Sequence, residues 1–431
     1  MVVAAIEAIS NSRFGKRMTV VPTEADTQCI KAATDYNSTV GEPHVIVTND
    51  SDLLTAATGR ESHIMMLYEL ARTRELTQTT VQARVFHPSA IAKAVGLNSM
   101  MDAGFFMAQD RHITLEAAAS AARRSSFRSS QEYSTFCHQY RGTEHSTIEL
   151  SAPLAAVMRS MDPRVAELGH QLLSSFSRDQ QSTVNVFLPP LLEDVEVSSA
   201  WKVGSQLRGT IYGMLLDSRS DVSKVVEHAR HGHHIGRREH PSSHTWHFEL
   251  TSYATWMQDV FSQLEDPVFH GAQLAVRRFR YLAALMVVDF HASEGKALSR
   301  QQILQLLTRG TPGDWTQLQI DAMLQAALYS LRMAKQLLAF KAARDSLRPE
   351  TMALEQVLRD MPGIASLLDR QDDDTDNSWM PLARELKERA DAAVHESQDE
   401  DPDSDIEDEN MDDDERDHAE LVNNPFAMLS R

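Results

Sequence analysis

Two short strand-like segments near the start of the chain are each followed, within a few residues, by a pair of acids. The segments are Met18–Val21 and His44–Thr48, and the second is rich in the β-branched residues typical of a buried parallel strand. Thr23 is a suitable N-cap for a helix between them, over residues 24–36. Strand, helix and strand in this order form a βαβ unit, which predicts a parallel α/β sheet.

The acids after these strands are Glu24 and Asp26, then Asp50 and Asp52. In an open parallel sheet, ligands bind beyond the carboxyl ends of the strands, so we expect the four carboxylates at one edge. They would repel one another unless cations neutralised them. Hard oxygen ligands select Mg²⁺ or Mn²⁺, and two such ions about 4 Å apart activate water for phosphodiester hydrolysis. The same acids also fit ordinary turn positions and the first turn of a helix.

Further helices are predicted between this sheet and residue 125. They are expected over Pro88–Val95, from the Ser99 cap to a point near Asp110, and over Thr114–Arg124. The pattern of Ser62–Leu70 fits a strand or a helix equally well.

The block Glu24–Cys29, the segment Asp50–Asp52 after a strand, and Asp110 after a helical pair resemble the internal nuclease region of the flap endonuclease/XPG family. The closest likeness in character is to fungal XPG-I-domain proteins and asteroid-like proteins. The resemblance covers residues 1–125 and implies a PIN-like fold, of which this region corresponds to the C-terminal half. We therefore expect a partial nuclease domain over residues 1–125.

The resemblance also implies a site and its ligands. It assigns metal-binding and catalytic roles to Glu24, Asp26, Asp50, Asp52 and Asp110. It implies Mg²⁺ or Mn²⁺ as the cofactor, two ions if the full site is present, and DNA or RNA as the substrate. Arg123 and Arg124, which come just after the last of these acids, would then be placed to meet a phosphate backbone.

Two departures from the family pattern bear on activity. Family members begin their nuclease domain with another half that carries further metal-binding acids, whereas Glu7 is the one acid before Glu24. Their glycine-rich helical hairpin corresponds here to Asp110–Ala118, which contains no glycine, so close approach of its backbone to phosphates is disfavoured. Two hypotheses follow. One is a structure-specific or single-strand nuclease, truncated or degenerate; the other is a non-catalytic PIN-like scaffold acting through its helical region and acidic tail.

Residues 150–365 are predicted to form a mainly α-helical region, and an all-α region is its simplest form. Its amphipathic segments are Leu150–Phe176, Trp201–Leu216, Thr251–Leu264, Gln273–Phe290, Gln301–Leu307 and Trp315–Ala342. Within Val276–Tyr281, arginines alternate with aromatic residues, which suits phosphate contact and base stacking. An ordinary helix with its arginines facing solvent is the favoured interpretation.

Seven histidines cluster between residues 228 and 247, and they are His228, His231, His233, His234, His240, His244 and His247. No cysteine accompanies them and their spacing matches no zinc pattern, so a solvated, partly cationic loop is expected. The chain has two cysteines, which excludes a disulfide scaffold and fits a reducing compartment. Cys137 is predicted to be a partly buried, inert thiol.

The net charge of −19 is concentrated at the end of the chain. Residues 371–431 contain 22 acids and 5 basic residues, which gives −17, whereas residues 1–370 carry −2. This composition predicts a disordered acidic tail over 371–431, for which a solubilising role is the favoured interpretation. The alternative is that a protein partner binds the tail and its apolar patch Pro425–Leu429. The sequence contains no run of about 18 apolar residues, so we expect no membrane span. We expect an intracellular protein, located in the nucleus.

Overall fold

A computed structural model describes the chain over residues 9, 12, 25–40, 44–55, 62–68, 83–110, 112–124, 126–140, 150–173, 182–217, 222–241, 245–264, 271–308, 312–345, 347–369 and 379–399. The described residues between 25 and 140 form one compact unit, and those between 150 and 399 form another. We call them the smaller unit and the larger unit. No described helix is both long enough and apolar enough to cross a membrane.

The smaller unit combines helices with a parallel pair of strands. Its elements are α1 (Ala25–Thr39), β1 (His44–Thr48), a 3₁₀ turn (Ser51–Leu54), β2 (Ser62–Met66), α2 (Pro88–Ala94), α3 (Met100–Gln109), α4 (Leu115–Arg124), a 3₁₀ turn (Phe127–Ser129) and α5 (Gln131–Tyr140). In the sheet, His44 lies opposite Ser62 and Thr48 opposite Met66. The predicted α/β character of this region is therefore confirmed, and the ambiguous segment after residue 62 begins with a strand.

The two strands differ in burial. Ile64 and Met66 of β2 are buried with Ile30 of α1. In β1, Val45 and Val47 are each 49% exposed, so one face of this strand is open, although its β-branched run predicted burial on both. The first predicted strand, at residues 18–21, lies outside the described residues.

Local signals determine where the helices of this unit begin and end. Pro88 occupies the first turn of α2, and Gly96 follows its end with φ of +72°, a left-handed conformation that favours glycine. The Ser99 hydroxyl accepts a hydrogen bond from the Met101 amide at 3.2 Å, as expected for an N-cap. The predicted starts of α1 to α4 are confirmed to within a residue, whereas α5 was not predicted.

The larger unit is built mainly from helices. Its elements are α6 (Ala152–Ser160), α7 (Pro163–Leu173), β3 (Ser182–Phe187), a 3₁₀ turn (Ala200–Lys202), α8 (Ser205–Leu216), β4 (Val222–His231), β5 (His234–Pro241), α9 (Trp246–Gln263), α10 (Gly271–Ser293), α11 (Arg300–Thr308), α12 (Trp315–Arg344), α13 (Pro349–Arg359), α14 (Ile364–Leu368) and α15 (Trp379–Asp399). Helix α12 contacts α6, α7, α8, α10, α11, α13 and α14. The six consecutive residues 326–331 are all buried, so over this stretch the helix is covered on every side, as the central helix of this core.

Three strands in the larger unit contradict the prediction of an all-α region. Strand β3 pairs with β4 in parallel, and β4 pairs with β5 as an antiparallel hairpin. The turn of this hairpin contains Gly232, with φ of +56°. Most of the clustered histidines lie on this hairpin, so the prediction of a loop is wrong. Its solvated, partly cationic character is confirmed, because His231, His233, His234, Arg237 and Arg238 are exposed.

Two helix boundaries differ from prediction for identifiable reasons. The single helix expected over Leu150–Phe176 is divided at Pro163, which begins α7 and cannot continue α6. Helix α15 lies within the predicted disordered tail, so disorder from residue 371 is wrong for residues 379–399. Four of its residues are buried at spacings of four, three and four, and they are Trp379, Ala383, Leu386 and Ala390. The apolar patch Pro425–Leu429 lies outside the described residues.

Candidate active site

The carboxyl ends of β1 and β2 are joined by side-chain hydrogen bonds. The Asn49 side-chain oxygen accepts from the backbone amide of Tyr68, just beyond β2, at 3.1 Å. The amide of Asp50 donates to the Thr48 hydroxyl at 2.9 Å. These bonds fix the chain where it leaves the sheet, and they present Asp50, an exposed residue, at the carboxyl edge of the parallel pair.

The next turn leads into the body of the smaller unit. In the 3₁₀ segment Ser51–Leu54, Leu53 is buried in the core beneath the sheet. Asp52 lies in this segment, and its side chain is outside the described atoms. The segment is therefore fixed from below by an apolar side chain while Asp50 stays on the surface.

Helix α3 packs against this segment at a glycine. A Cβ on Gly104 would lie 2.9 Å from the Cβ of Thr55, so the absence of a side chain permits this close contact. Asp110 follows α3 and is about 9 Å farther along the helix axis, at 1.5 Å per residue. One of its carboxylate oxygens accepts from the His112 amide at 2.9 Å, which turns the chain after the helix. Asp110 is exposed.

The remaining predicted acids lie at the start of α1. Asp26 is half-buried in the first turn, where the helix dipole favours an anion. Burial raises the pKa of Cys29, and the negative charge of Asp26 raises it further, so this thiol is a poor nucleophile. Glu24 lies outside the described residues. Across the described part of the chain, no three acidic, histidine or cysteine side chains come together as a metal site.

The predicted nucleic-acid contacts are exposed but engaged locally. The Arg123 guanidinium donates to the Val95 carbonyl at the end of α2. Arg124 donates through Nε to the Ser120 carbonyl, one turn earlier in α4, at 3.1 Å. Their role in binding nucleic acid remains a prediction.

The sequence analysis missed a buried carboxylate in this unit. Asp102 accepts from the Arg128 guanidinium at 2.7 Å and from the Tyr133 hydroxyl at 2.7 Å. Burial raises the pKa of Tyr133, and its hydrogen bond to Asp102 raises it further, so the phenol remains a donor. An acid within the apolar run Met100–Phe106 was the available signal for such a buried pair.

The larger unit contains a second buried charge pair that the sequence analysis missed. Glu227 of β4 accepts from Arg208 of α8 at 2.6 and 2.9 Å and from the Tyr212 hydroxyl at 2.7 Å. Burial raises the pKa of Glu227, but the charge and hydrogen bonds of Arg208 outweigh it and hold that pKa well below its ordinary range. The pair connects the sheet of the larger unit to its helices.

The clustered histidines have separate partners. His228 lies 2.9 Å from the Asn185 side-chain oxygen, His240 lies 3.2 Å from Glu227, and His233 lies 3.6 Å from Glu196. They therefore form no metal site among the described residues. His244 lies outside the described residues.

Arg277 and Arg280 of Val276–Tyr281 are buried and Arg278 is half-buried, which corrects the expectation that these arginines face solvent. The Arg280 guanidinium donates to the carbonyls of Leu367 and Asp369, and Arg277 lies over the Trp379 ring at 4.9 Å. These arginines bind the C-terminal elements of the larger unit. Cys137 is buried in the smaller unit, as an inert thiol should be.

Comparison with known families decides the relationship of the chain. A family described as XPG domain containing matches residues 1–240, more than half of the sequence. The chain belongs to this XPG-domain family. No curated protein and no solved structure matches it.

XPG-domain membership carries a general expectation about chemistry. The family is a nuclease family whose members bind nucleic acids and usually use divalent metal ions. The match extends well beyond residues 1–125, on which the resemblance was based, and ends within β5. It therefore includes the β4–β5 hairpin of the larger unit as well as the acidic edge of the smaller one.

Proposed function

We propose that this XPG-domain chain hydrolyses phosphodiester bonds in nucleic acid at the acidic edge of the smaller unit. One observation carries the proposal: Asp50 lies two residues after β1 at the carboxyl edge of a parallel pair, in a chain of a nuclease family. Ligands of parallel α/β sheets bind at this edge.

The donor chemistry of the proposed site suits a hard divalent cation. Asp50 and Asp110 have exposed carboxylates, and Mg²⁺ and Mn²⁺ prefer oxygen ligands. We propose that Asp50 and Asp110, with Glu24, Asp26 and Asp52, hold the metal. When bound, such an ion lowers the pKa of its water and stabilises the leaving oxygen.

The protein's own contribution is to position these carboxylates. The hydrogen bond from the Asp50 amide to the Thr48 hydroxyl fixes the turn after β1, and the bond from the Tyr68 amide to Asn49 ties this turn to the end of β2. The Asp110 turn fixes the second carboxylate, which still has one oxygen directed away from the His112 amide. Substrate phosphates would bind over these two residues.

The test is cleavage by the full chain with Asp50→Asn. The substrates are labelled single-stranded DNA, single-stranded RNA, duplex DNA and a branched DNA flap, each with 5 mM Mg²⁺ or Mn²⁺. We expect the wild-type chain to cut at least one of them and Asp50→Asn to lower the rate about 100- to 1,000-fold, as losing one strong electrostatic contact to a transition state does. Asp110→Asn should also lower it.

A matched control removes the same charge elsewhere in the smaller unit. Asp35→Asn alters an exposed acid of α1 outside the proposed site and should retain wild-type cleavage. Binding of Mn²⁺ by the wild-type chain, measured by calorimetry, should be weakened by Asp50→Asn and not by Asp35→Asn. Undiminished cleavage by Asp50→Asn would overturn the proposal, as would absence of both cleavage and Mn²⁺ binding in the wild-type chain.

A further inference from the structure

A cavity of about 630 Å³ in the larger unit lies between α9, α10 and the start of α8. Its volume is in the range of pockets that hold a small organic molecule. Its lining residues on α9 are spaced so that they share one face of the helix, and they are Phe248, Glu249, Ser252, Tyr253 and Trp256. Its lining residues on α10 are Met286, Asp289, Phe290 and Ser293. The cavity therefore combines aromatic rings with carboxylates.

Four aromatic side chains line this cavity, and they are Phe248, Tyr253, Trp256 and Phe290. Each is at least partly exposed, and Phe248 is 69% exposed. The rings of Tyr253 and Trp256 have centroids 6.4 Å apart and planes inclined at 67°, so they form a corner. Burial and, to a smaller extent, the charge of Glu249 raise the pKa of Tyr253 to about 12, so its phenol is neutral at physiological pH. The faces of such rings carry partial negative charge and attract cations.

Two of the three charged residues that line the cavity have partners of opposite charge. Lys202 lies 4.0 Å from Glu294. Asp289 accepts two hydrogen bonds from the Arg389 guanidinium of α15, at 2.9 and 3.0 Å. Each of these pairs is neutral as a whole. The charge balance of the cavity therefore depends on the third residue, Glu249.

Glu249 is half-buried and forms no ion pair with a described residue. Its carboxylate accepts a hydrogen bond from the Thr245 hydroxyl at 2.8 Å and also contacts the Thr210 hydroxyl. Both hydroxyls are neutral, so they orient the carboxylate without cancelling its charge. The first turn of α9, in which Glu249 lies, supplies only the partial positive charge of a helix N-terminus. The cavity therefore places an uncompensated negative charge beside its aromatic rings.

We propose that this cavity binds a quaternary ammonium group, with the aromatic rings around its methyl groups and Glu249 as its counter-ion. Such an ion has no N–H to hydrogen-bond with water, so it loses little hydration when aromatic faces enclose it. The cavity is larger than one such head group, and it therefore has room for the alkyl chain that carries the group. The carrier is either a small choline-like molecule or the methylated lysine side chain of a protein.

The charge of Glu249 selects this ligand over the other occupants of an aromatic cavity. A neutral apolar molecule would remove water from the carboxylate without replacing the lost solvation, which costs free energy. An anion would be repelled by the same carboxylate. The inference is independent of the proposed hydrolysis, because it concerns the other unit of the chain and requires neither a metal ion nor a nucleic acid.

The first test compares two ligands of nearly the same shape by calorimetry with the full chain. One is choline, and the other is 3,3-dimethyl-1-butanol, in which carbon replaces the quaternary nitrogen. We expect choline to bind about tenfold more tightly, since cation–π contacts in a partly desolvated site contribute an affinity difference of this order. Equal binding of the two would overturn the proposal in favour of an apolar cavity. Absence of choline binding would also overturn it.

The second test removes the counter-ion. Glu249→Gln should weaken choline binding about tenfold, since a charged partner is replaced by a neutral one of the same shape. It should leave binding of the neutral analogue unchanged or slightly tighter. The control Glu167→Gln alters a half-buried glutamate of α7 that does not line the cavity, and it should retain wild-type affinity. Unchanged choline binding by Glu249→Gln, or an equal loss in both variants, would contradict the proposal.

The third test concerns the aromatic wall. Trp256→Leu keeps an apolar side chain but removes the ring, and it should weaken choline binding about fivefold while hardly affecting the neutral analogue. Trp315→Leu, at a tryptophan of the larger unit that is 62% exposed and outside the cavity, should change neither. Circular dichroism checks that each variant is folded, and Phe248→Leu, at an exposed position, provides the same comparison if Trp256→Leu is not. Equal loss for both ligands would show apolar contact alone and overturn the proposal.

A last comparison identifies the carrier of the ammonium group. The two probes are choline and a short peptide that contains one trimethyllysine, with the same peptide containing unmodified lysine as its control. Tighter binding of choline supports a small-molecule ligand, and tighter binding of the trimethyllysine peptide supports a methylated protein partner. Equal affinity for the methylated and unmodified peptides, without choline binding, would overturn the proposal. All of these titrations are made in EDTA, so loss of the proposed metal-dependent cleavage does not affect them.

Discussion

The two units of this chain bury their charges differently. In the smaller unit, the Asp102 side chain is 3% exposed, but its partner Arg128 is 55% exposed and reaches it from the surface. In the larger unit, both members of the Arg208–Glu227 pair are buried, at 1% and 3% exposure. Arg208 also donates to the carbonyls of Trp201 and Val203. If a half-open pair breaks, water can solvate its exposed member, whereas both members of a fully buried pair are left without solvent.

The hydrophobic cores of the two units also differ, and the core of the larger unit is again the more completely enclosed. The described buried apolar residues of the larger unit form one continuous cluster around α12. Those of the smaller unit form three separate clusters, one under the sheet and two among the helices after it. Regions with small, separate cores open more easily than regions with one large core. The proposed acidic site therefore lies on the more easily opened unit, and the larger unit is the more rigid one.

The largest predicted effect comes from breaking the buried pair. Arg208→Met leaves Glu227 buried without its cation, and it should lower the free energy of unfolding by about 3–5 kcal/mol in urea titrations. The double variant Arg208→Met with Glu227→Gln removes both charges and should recover a large part of that loss. If the single variant costs less than about 1 kcal/mol, the larger unit is not held by this pair in the way its burial indicates.

The same Arg208–Glu227 pair should make the free energy of unfolding depend on pH in the acid range. The pKa of Glu227 in the folded protein is depressed below its unfolded value of about 4.3. The unfolded chain therefore binds this proton more readily, and the stabilisation is complete above about pH 4.3 and is lost as the pH falls toward the folded pKa. Urea titrations between pH 6 and pH 3 should show a steeper loss of stability in the wild-type chain than in Glu227→Gln. Parallel curves would contradict the assignment.

The half-open pair of the smaller unit should cost less to break. Asp102→Asn removes the ion pair but leaves Arg128 able to move into solvent, so we expect a loss of about 1–3 kcal/mol. The loss should appear in hydrogen exchange of residues 100–137, whose amides should exchange faster. A loss as large as that of Arg208→Met would remove the distinction between the two units.

Local chemistry made much of the smaller unit predictable. Pro88, Gly96 and Ser99 determine helix ends through their own backbone preferences and hydrogen bonds, so the boundaries of α2 and α3 could be read directly. Asp50 could be placed at a strand end because the β-branched run before it is a local signal. The exposure of one face of that strand could not be predicted, because burial depends on which distant elements cover the strand.

The predictions for the larger unit were wrong where contacts between residues distant in the sequence determine the structure. The β4–β5 hairpin contains histidines and arginines at positions that typically indicate a solvated loop, and only its pairing with β3 and its packing on Arg208 make it a sheet. The acidic composition around α15 concealed its buried positions, including Trp379, which Arg277 contacts from α10. Both errors came from judging segments by composition when a partner remote in the sequence determined their structure.

The smallest predicted loss of stability comes from removing the N-cap side chain of one helix in each unit. Ser99 caps the ten-residue α3, and Asp314 caps the 30-residue α12 by accepting from the Gln317 amide at 2.8 Å. Ser99→Ala and Asp314→Ala should each cost about 1 kcal/mol of global stability. Their local effects should differ, because α12 is held by contacts along its whole length whereas α3 depends on smaller clusters.

Hydrogen exchange measured by mass spectrometry distinguishes these outcomes. Ser99→Ala should speed exchange throughout α3, whereas the effect of Asp314→Ala should be confined to the first turn of α12 and fade beyond it. Equal acceleration along both helices would show that the two units open alike. The separate clusters of the smaller unit would then behave as one cooperative core, and the contrast between an easily opened smaller unit and a more rigid larger unit would be wrong.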